Sequence, residues 1–315
     1  MASGTGPVPG IRTIGLVSPE IAIATCDRLP EVDVDDRLLG AALTAAGLTP
    51  RLVAWNDPRV DWASFAATVV RSTWDYTTRR ADFLAWADSV PRLFNPAEVI
   101  RANSDKRYLA TLAARGVQVV PTEFVGPGEE LVLPAEGDFV IKPTVGAGSR
   151  GAGRFAADEH GAAREHAARL HAEGRTAMVQ PYLAEVDTAG ETALIFLDGV
   201  YSHAIRKAAL LEPGTRVPTD FGPLYRIEQI GPREPSAAER ALADRALAAF
   251  GTDEPLLYAR VDLLPGPDGP RVVELELAEP SLFLDHADGA ADRLAAAIAA
   301  RIGAGSSPSR PGRSG

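Results

Sequence analysis

Residues 138–156, DFVIKPTVGAGSRGAGRFA, constrain this chain more tightly than any other stretch. They read as an apolar strand, a glycine-rich loop and a second strand. Lys142 sits inside the first strand, between Val140-Ile141 and Pro143. A lysine in such a strand costs free energy unless an anion meets it. The loop from Gly146 to Gly153 lets backbone N–H groups approach phosphate oxygens closely. It contains G-x-G-x-x-G, yet it leads into a strand, whereas a dinucleotide-binding loop opens a helix. The closing G-K-[ST] of a Walker loop is absent. A kinase glycine loop precedes its lysine, and here the lysine comes first. Taken in isolation, a plain flexible turn remains the competing reading.

A second constraint lies near the end, in RVVELELAEP, residues 271–280. As a strand it points Val273, Leu275 and Leu277 one way and Glu274 and Glu276 the other, with Glu279 close behind. In isolation an edge strand with a wet face is the commoner explanation of that alternation. A site for a hard divalent cation is the alternative, since such ions take oxygen ligands.

The rest of the chain supplies context. From Arg12 to Pro96 strands alternate with helices: TIGLV, a helix capped by Asp35 with the stripe Leu38, Leu39, Ala42, Leu43 and Ala46, then RLVAW, TVVRST and the helix RADFLAWADSV. Such alternation predicts a parallel sheet with functional loops at its carboxyl edge, where VSPE and TWDY would lie. Ser104 is expected to cap a helix through Tyr108, Leu109, Leu112 and Ala113, and VQVVPT to form a strand. ETALIFLDGVYSHAIRK predicts a hairpin turning at Asp198-Gly199. SAAERALADRALAAFG predicts a helix, LYARVDLLPGPDGPRVVELEL a second hairpin, and DGAADRLAAAIAARI the last helix. The five histidines are scattered, His166 and His171 reading as the solvated face of a helix.

Composition excludes several function classes. The 315 residues carry a formal net charge of −10, which argues against nucleic acid as the main partner. Cys26 is the only cysteine, so neither a disulfide framework nor a cysteine zinc site is available. The start MASGTGPVPG lacks a signal-peptide pattern and no apolar stretch is long enough to cross a bilayer, so the expected location is the cytoplasm.

The features fall in a fixed order: Lys106, Lys142 with its loop, VQPYL, Arg260 and Asp262 in YARVDLL, then Glu274-Leu275-Glu276. In that order the sequence resembles the ATP-grasp superfamily of carboxylate–amine ligases over roughly residues 100 to 300. The resemblance implies an α/β (α+β) fold: a pre-ATP-grasp, Rossmann-like domain (11–100), a small central lobe with the glycine loop (101–182) and a C-terminal lobe with the metal site (183–303). A flexible N-terminus (1–10) and a disordered tail (304–315) would flank them. It further implies that Lys106 and Lys142 hold ATP phosphates and that Gly146, Gly148, Ser149, Arg150 and Gly151 close over them. Gln180, Tyr182 and Leu183 would meet adenine, with Glu185 or Asp187 at the ribose. Arg260 would steady the phosphate and the developing oxyanion. Asp262, Glu274 and Glu276 would hold Mg2+, two ions in all, for which Mn2+ can substitute. Two departures stand out: Glu276 replaces the usual asparagine of an E-x-N pattern, and Pro280 comes one residue late.

RSTWDYTTRRADFLAW, NSDKRYL, GETALIFLDGVYSHAIRK and ELELAEPSLFL resemble one bacterial branch, which includes the ligase that closes O-ureidoserine to cycloserine. The implied reaction joins an acylphosphate-activated carboxylate to an amine, on a small amino-acid-like substrate, in antibiotic or other specialised metabolism. A small-molecule kinase and a non-catalytic nucleotide-binding protein are the alternatives. Asp75, His203, Arg206 and Lys207 are the candidate substrate contacts; Trp74 and Tyr76 read equally well as packing between domains. A homodimer is the base-rate expectation for a soluble enzyme.

Overall fold

The computed structural model describes residues 18–217 and 229–305. The first unit contains β1 (Glu20–Thr25), α1 (Val34–Ala45), β2 (Thr49–Ala54), β3 (Ala67–Val70), α2 (Arg80–Ser89) and β4 (Leu93–Phe94), with a parallel sheet in the order β2-β1-β3-β4. Ile21, Ala22, Ile23 and Ala24 are all buried, as a central parallel strand covered on both faces requires. TIGLV lies outside the described residues. Ser18 and Pro19 of VSPE lead into β1, which contains Glu20, and the carboxyl-edge loop after β1 is residues 26–33. The TWDY segment does follow β3, as a 3-10 turn over Trp74–Thr78.

Asp35 does not cap α1. Asp33 does, its carboxylate accepting the Asp35 N–H at 3.0 Å, while Asp35 and Asp36 are buried in the first turn. Asp36 faces the almost fully buried Arg71 and accepts a short hydrogen bond from Ser72. Burial lifts its pKa to about 7, although Arg71 pulls the other way. Because the folded chain holds this proton more tightly than the unfolded one, stability from this group is lost as pH rises from about 4 to 7. Asp36→Asn should therefore flatten the fall in melting temperature across that window by up to one proton, or about 1.4 kcal/mol per pH unit. Thermal melts at pH 4.5, 5.5 and 6.5 measure it; parallel curves for the two proteins would refute it.

After α3 (Ala97–Asn103) comes α4 (Tyr108–Ala114). Ser104 closes α3 and does not open α4, because its hydroxyl bonds Arg80 and the Arg101 carbonyl. VQVVPT shrinks to one bridge, Val119 to Val272, since Pro121 has no N–H to offer a ladder. The second sheet comprises β5 (Glu123–Val125), β6 (Phe139–Pro143), β7 (Gly153–Phe155) and β8 (Ala177–Pro181), ordered β5-β8-β6-β7, with α5 (His160–Ala172) on one face. Phe139, Ile141, Phe155, Leu170 and Val179 form a core of this sheet and helix, with Leu131 and Leu133 packed against it. Only glycine fits at 153, where a Cβ would meet the Phe155 ring at 2.8 Å.

After α6 (Val186–Ala189), the third sheet takes β9 (Glu191–Leu197), β10 (Val200–Lys207), β11 (Ile230–Pro232), β12 (Tyr258–Leu264) and β13 (Arg271–Glu276), ordered β11-β10-β9-β12-β13. Both expected hairpins form. Asp198 and Gly199 turn with φ of 52° and 75°, the pair of positive values a tight two-residue hairpin turn needs. α7 (Ala237–Phe250) starts with a capping box between Ser236 and Glu239. The last helix, α8 (Ala290–Gly305), runs two residues into the segment expected as tail. It packs on α1, and Leu39 and Leu43 share one core with Ile195, Tyr258, Leu294 and Ile298.

Candidate active site

A cavity of about 540 Å3 opens where the second sheet, the third sheet and the N-terminal unit meet. Strand periodicity fills it with charge. On β12, Arg260 and Asp262 share a face; on β13, Glu274 and Glu276 do. The antiparallel register sets Asp262 opposite Glu274 and Arg260 opposite Glu276. Lys207, at the end of β10, lies opposite Glu191 on β9. Lys106, ahead of α4, and Lys142, on β6, complete the lining.

Most of these charges pair within the chain. Lys106 Nζ lies 2.9 Å from Glu274 Oε1, and Lys207 Nζ lies 2.9 Å from Asp262 Oδ2. Arg260 donates through Nε and Nη2 to the two Asp262 oxygens at 2.8 Å each, and makes a short contact to Glu276. Lys207 also pairs closely with Glu191. Lys142 differs: its ammonium makes no ion pair or hydrogen bond with any described residue.

The electrostatics follow. Burial lowers the Lys142 pKa, Glu274 countering and Lys106 reinforcing the shift. Burial also works against charge on Lys106, but Glu274, Glu276 and Glu279 outweigh it and its pKa rises. Burial raises Glu276 and Glu191 above the ordinary carboxylate range, and lifts Glu279 to about 7. Burial opposes ionisation of Asp262 as well, yet Arg260 and Lys207 hold it well below the usual value. Among the described residues no three His, Cys, Asp or Glu side chains form a ready-made metal cluster, because each carboxylate expected to bind metal is turned onto a cation. The donor set still suits Mg2+: all its ligand atoms are hard carboxylate oxygens from two paired strands of one cavity.

Gln180, Tyr182 and Leu183 line the opposite wall. Arg154 stacks 3.5 Å above the Tyr182 ring, and the Tyr182 hydroxyl donates to Asp187. Asp187 thus serves the hinge from outside the cavity lining, and Glu185 stands just before α6, also outside that lining. Gly146, Gly148, Ser149 and Arg150 line the cavity. Arg150, however, donates to the Trp74 carbonyl at 2.6 Å and to Thr77, tying the loop to the N-terminal unit. Gly151 is absent from the lining, and its carbonyl bonds His166 at 2.9 Å. His166 is therefore buried against the loop, and His171 bonds the Val125 carbonyl, so neither lies on a free solvated face.

Of the expected substrate contacts, only Lys207 reaches the cavity. Asp75 is outside the lining and accepts the Trp55 indole N–H at 2.8 Å. His203 bonds the Leu282 carbonyl, and Arg206 bonds the carbonyls of Thr188 and Ala189. The cavity instead takes Trp74 and Tyr76 from that turn, together with Glu191, Glu279, Ser281 and Phe283. The alternation of β9 could have found Glu191, which shares a face with the inward Ala193 and Ile195. Nothing local marks the 281–283 loop.

The N-terminal residues 21–95 match the family described as D-cycloserine synthetase DcsG, N-terminal domain. The cycloserine biosynthesis protein DcsG of Streptomyces lavendulae is 43% identical over 291 residues, covering 86% of this chain and 95% of that protein. The crystal structure of D-cycloserine synthetase DcsG superposes with a TM-score of 0.81 at 41% identity, covering 90% of this chain and 99% of that one. D-alanine–D-alanine ligase from Bacillus anthracis complexed with ATP superposes with a TM-score of 0.62 at 15% identity, covering 90% of this chain and 97% of that one. At that identity the likeness is one of fold.

Proposed function

The chain belongs to the ATP-grasp family, in the branch of the cycloserine biosynthesis protein DcsG, and on that premise we propose an ATP- and Mg2+-dependent ligase that forms a C–N bond by way of an acylphosphate. The observation that carries the reading is Lys142, a cation enclosed in the cavity with no carboxylate partner among the described residues. A charge so placed calls for an anion from outside, and the glycine loop beside it offers backbone amides to the same anion.

Lys106, Lys142 and Arg260 would hold the phosphate oxygens of ATP, with Gly146, Gly148 and Ser149 covering them. Gln180, Tyr182 and Leu183 would border the adenine, stiffened by the Arg154–Tyr182 stack. Asp262, Glu274 and Glu276 would hold Mg2+, two ions in our reading, which supply charge neutralisation on the phosphates. The substrate carboxylate takes the γ-phosphoryl and ADP leaves; the nitrogen then attacks the carbonyl carbon, loses a proton, and phosphate departs. Such chemistry needs alignment and charge compensation more than a covalent catalyst. The residues supply both, and no nucleophilic triad is required.

The substrate we infer is a small amino-acid derivative whose own nitrogen attacks, giving a ring. Kinship with D-cycloserine synthetase supports this, as does one shared cavity of about 540 Å3 for nucleotide and substrate. ADP release should be screened against O-ureido and O-carbamoyl amino acids, with Glu274→Ala as the blank and the product identified by mass. Loss of water relative to the substrate is expected. A stable phosphorylated product formed without an amine would make the enzyme a kinase.

A further inference from the structure

Asp35, read from the sequence as a helix cap, does something else. Its side chain is 1% exposed, and its two oxygens accept three backbone N–H groups from the loop that follows β13. Oδ2 takes Leu282 N at 2.6 Å and Phe283 N at 3.0 Å, and Oδ1 takes Leu284 N at 2.7 Å. Other parts of the fold hold the same loop. Arg71 Nη2 donates to the Pro280 carbonyl at 2.8 Å, and His203 bonds the Leu282 carbonyl at 2.9 Å. The clamp has a conformation to maintain, since Phe283 has φ 51°, a left-handed backbone that a bulky residue adopts only when its surroundings enforce it.

The enforced shape faces Arg260. Arg260 Nη1 donates to the Ser281 carbonyl at 3.0 Å, and its guanidinium lies 5.5 Å from the centre of the Phe283 ring. These contacts come from two loop residues, one on each side of Leu282. The acidic partners of Arg260, Asp262 and Glu276, are those assigned to Mg2+ above. The loop contacts are independent of those carboxylates.

We propose that Asp35 is a positioning residue for Arg260, acting from the N-terminal unit through the 281–284 loop to fix the guanidinium in the cavity. This rests on the role assigned to Arg260 above. Asp35 borders the cavity, but both its carboxylate oxygens are taken up by the loop amides, with Arg71 3.5 Å away. Asp35→Asn keeps the size but gives up one acceptor oxygen and the charge facing Arg71 at 3.5 Å, so the loop loses part of its clamp while no residue assigned to the nucleotide is altered.

The test is a double-mutant cycle on steady-state ADP release, with thermal melts of every variant. Asp35→Asn should lower kcat about 10- to 100-fold with KM for ATP within about threefold, as a small misplacement of a catalytic group does. In an Arg260→Lys background the same change should cost less than about threefold in kcat, since residues acting through one another are non-additive. Equal losses in both backgrounds, or no loss in the wild-type background, overturn the proposal. If Arg260→Lys alone leaves turnover unchanged, the assignment of Arg260 fails first, which the same data reveal. Should Asp35→Asn not melt cooperatively, Phe283→Ala takes its place in the cycle. It removes the ring beside Arg260 and leaves Asp35 intact, and a kcat within about twofold of wild type would overturn the proposal equally.

Discussion

Replacing Lys142 with methionine is expected to raise the melting temperature and remove ATP turnover in one molecule. The two effects share a cause. The Lys142 ammonium is desolvated and has no carboxylate partner among the described residues, so folding charges it at a cost. Methionine fills similar space without that cost, and about 1 kcal/mol of added stability is typical for relieving a strained functional group. On the phosphate-binding role proposed for Lys142, removing one preorganised charge should lower turnover by about 10²- to 10³-fold. The pH dependence provides a separate check. With a pKa below the ordinary 10.5, Lys142 binds its proton more weakly folded than unfolded. Its contribution to stability therefore rises with pH up to that value, and the rise should vanish in the variant. A variant that melts lower and still releases ADP at the wild-type rate would remove Lys142 from the site.

Asp262→Ala should do the opposite to stability and the same to activity. The carboxylate is 3% exposed and is the shared counter-charge of Arg260 and Lys207. Deleting one partner of a buried ion network leaves charge uncompensated, at about 3–5 kcal/mol. Turnover should fall on the order of 10³-fold, because an oxygen proposed to bind Mg2+ and the orientation of Arg260 are lost together. Calorimetry and ADP release on one preparation measure both losses. The wild-type carboxylate contributes its stability above the ordinary aspartate pKa and loses it on acidification. The gap between the two proteins should accordingly narrow below about pH 4. A variant as stable as wild type at neutral pH would refute the network account.

Much of this site could be read from the chain because its residues lie on strands, where alternation fixes the face. Glu274 and Glu276, Arg260 and Asp262, and Lys142 beside its loop all share the cavity for that reason. The Asp198-Gly199 turn and the strand after the glycine loop were legible from local turn chemistry. Partners across the fold were not. Nothing near Asp35 tells that it will hold Leu282 to Leu284, nearly 250 positions away, and Arg150 looks like any loop cation until Trp74 is beside it. His203 and Arg206 have the right chemistry for a substrate, but they bond a carbonyl of the 281–284 loop and two carbonyls of α6. EIAIAT, which forms β1, is as good a short apolar run as any singled out above, but the hydrophobic pattern alone did not mark it.

The shared core beneath α1 and α8 also limits how this enzyme can be recombined. A boundary drawn after residue 95, where the recognisable N-terminal module stops, looks like a natural seam for chimeras between relatives. It is half a core. Leu39 and Leu43 would arrive without the Leu294 and Ile298 they evolved against, and Asn95 would bring hydrogen bonds to Leu257, Tyr258 and Leu277 into a foreign backbone. The exchangeable piece is the two ends of the chain together, and the small sheet carrying the glycine loop is a cassette whose interior is largely its own.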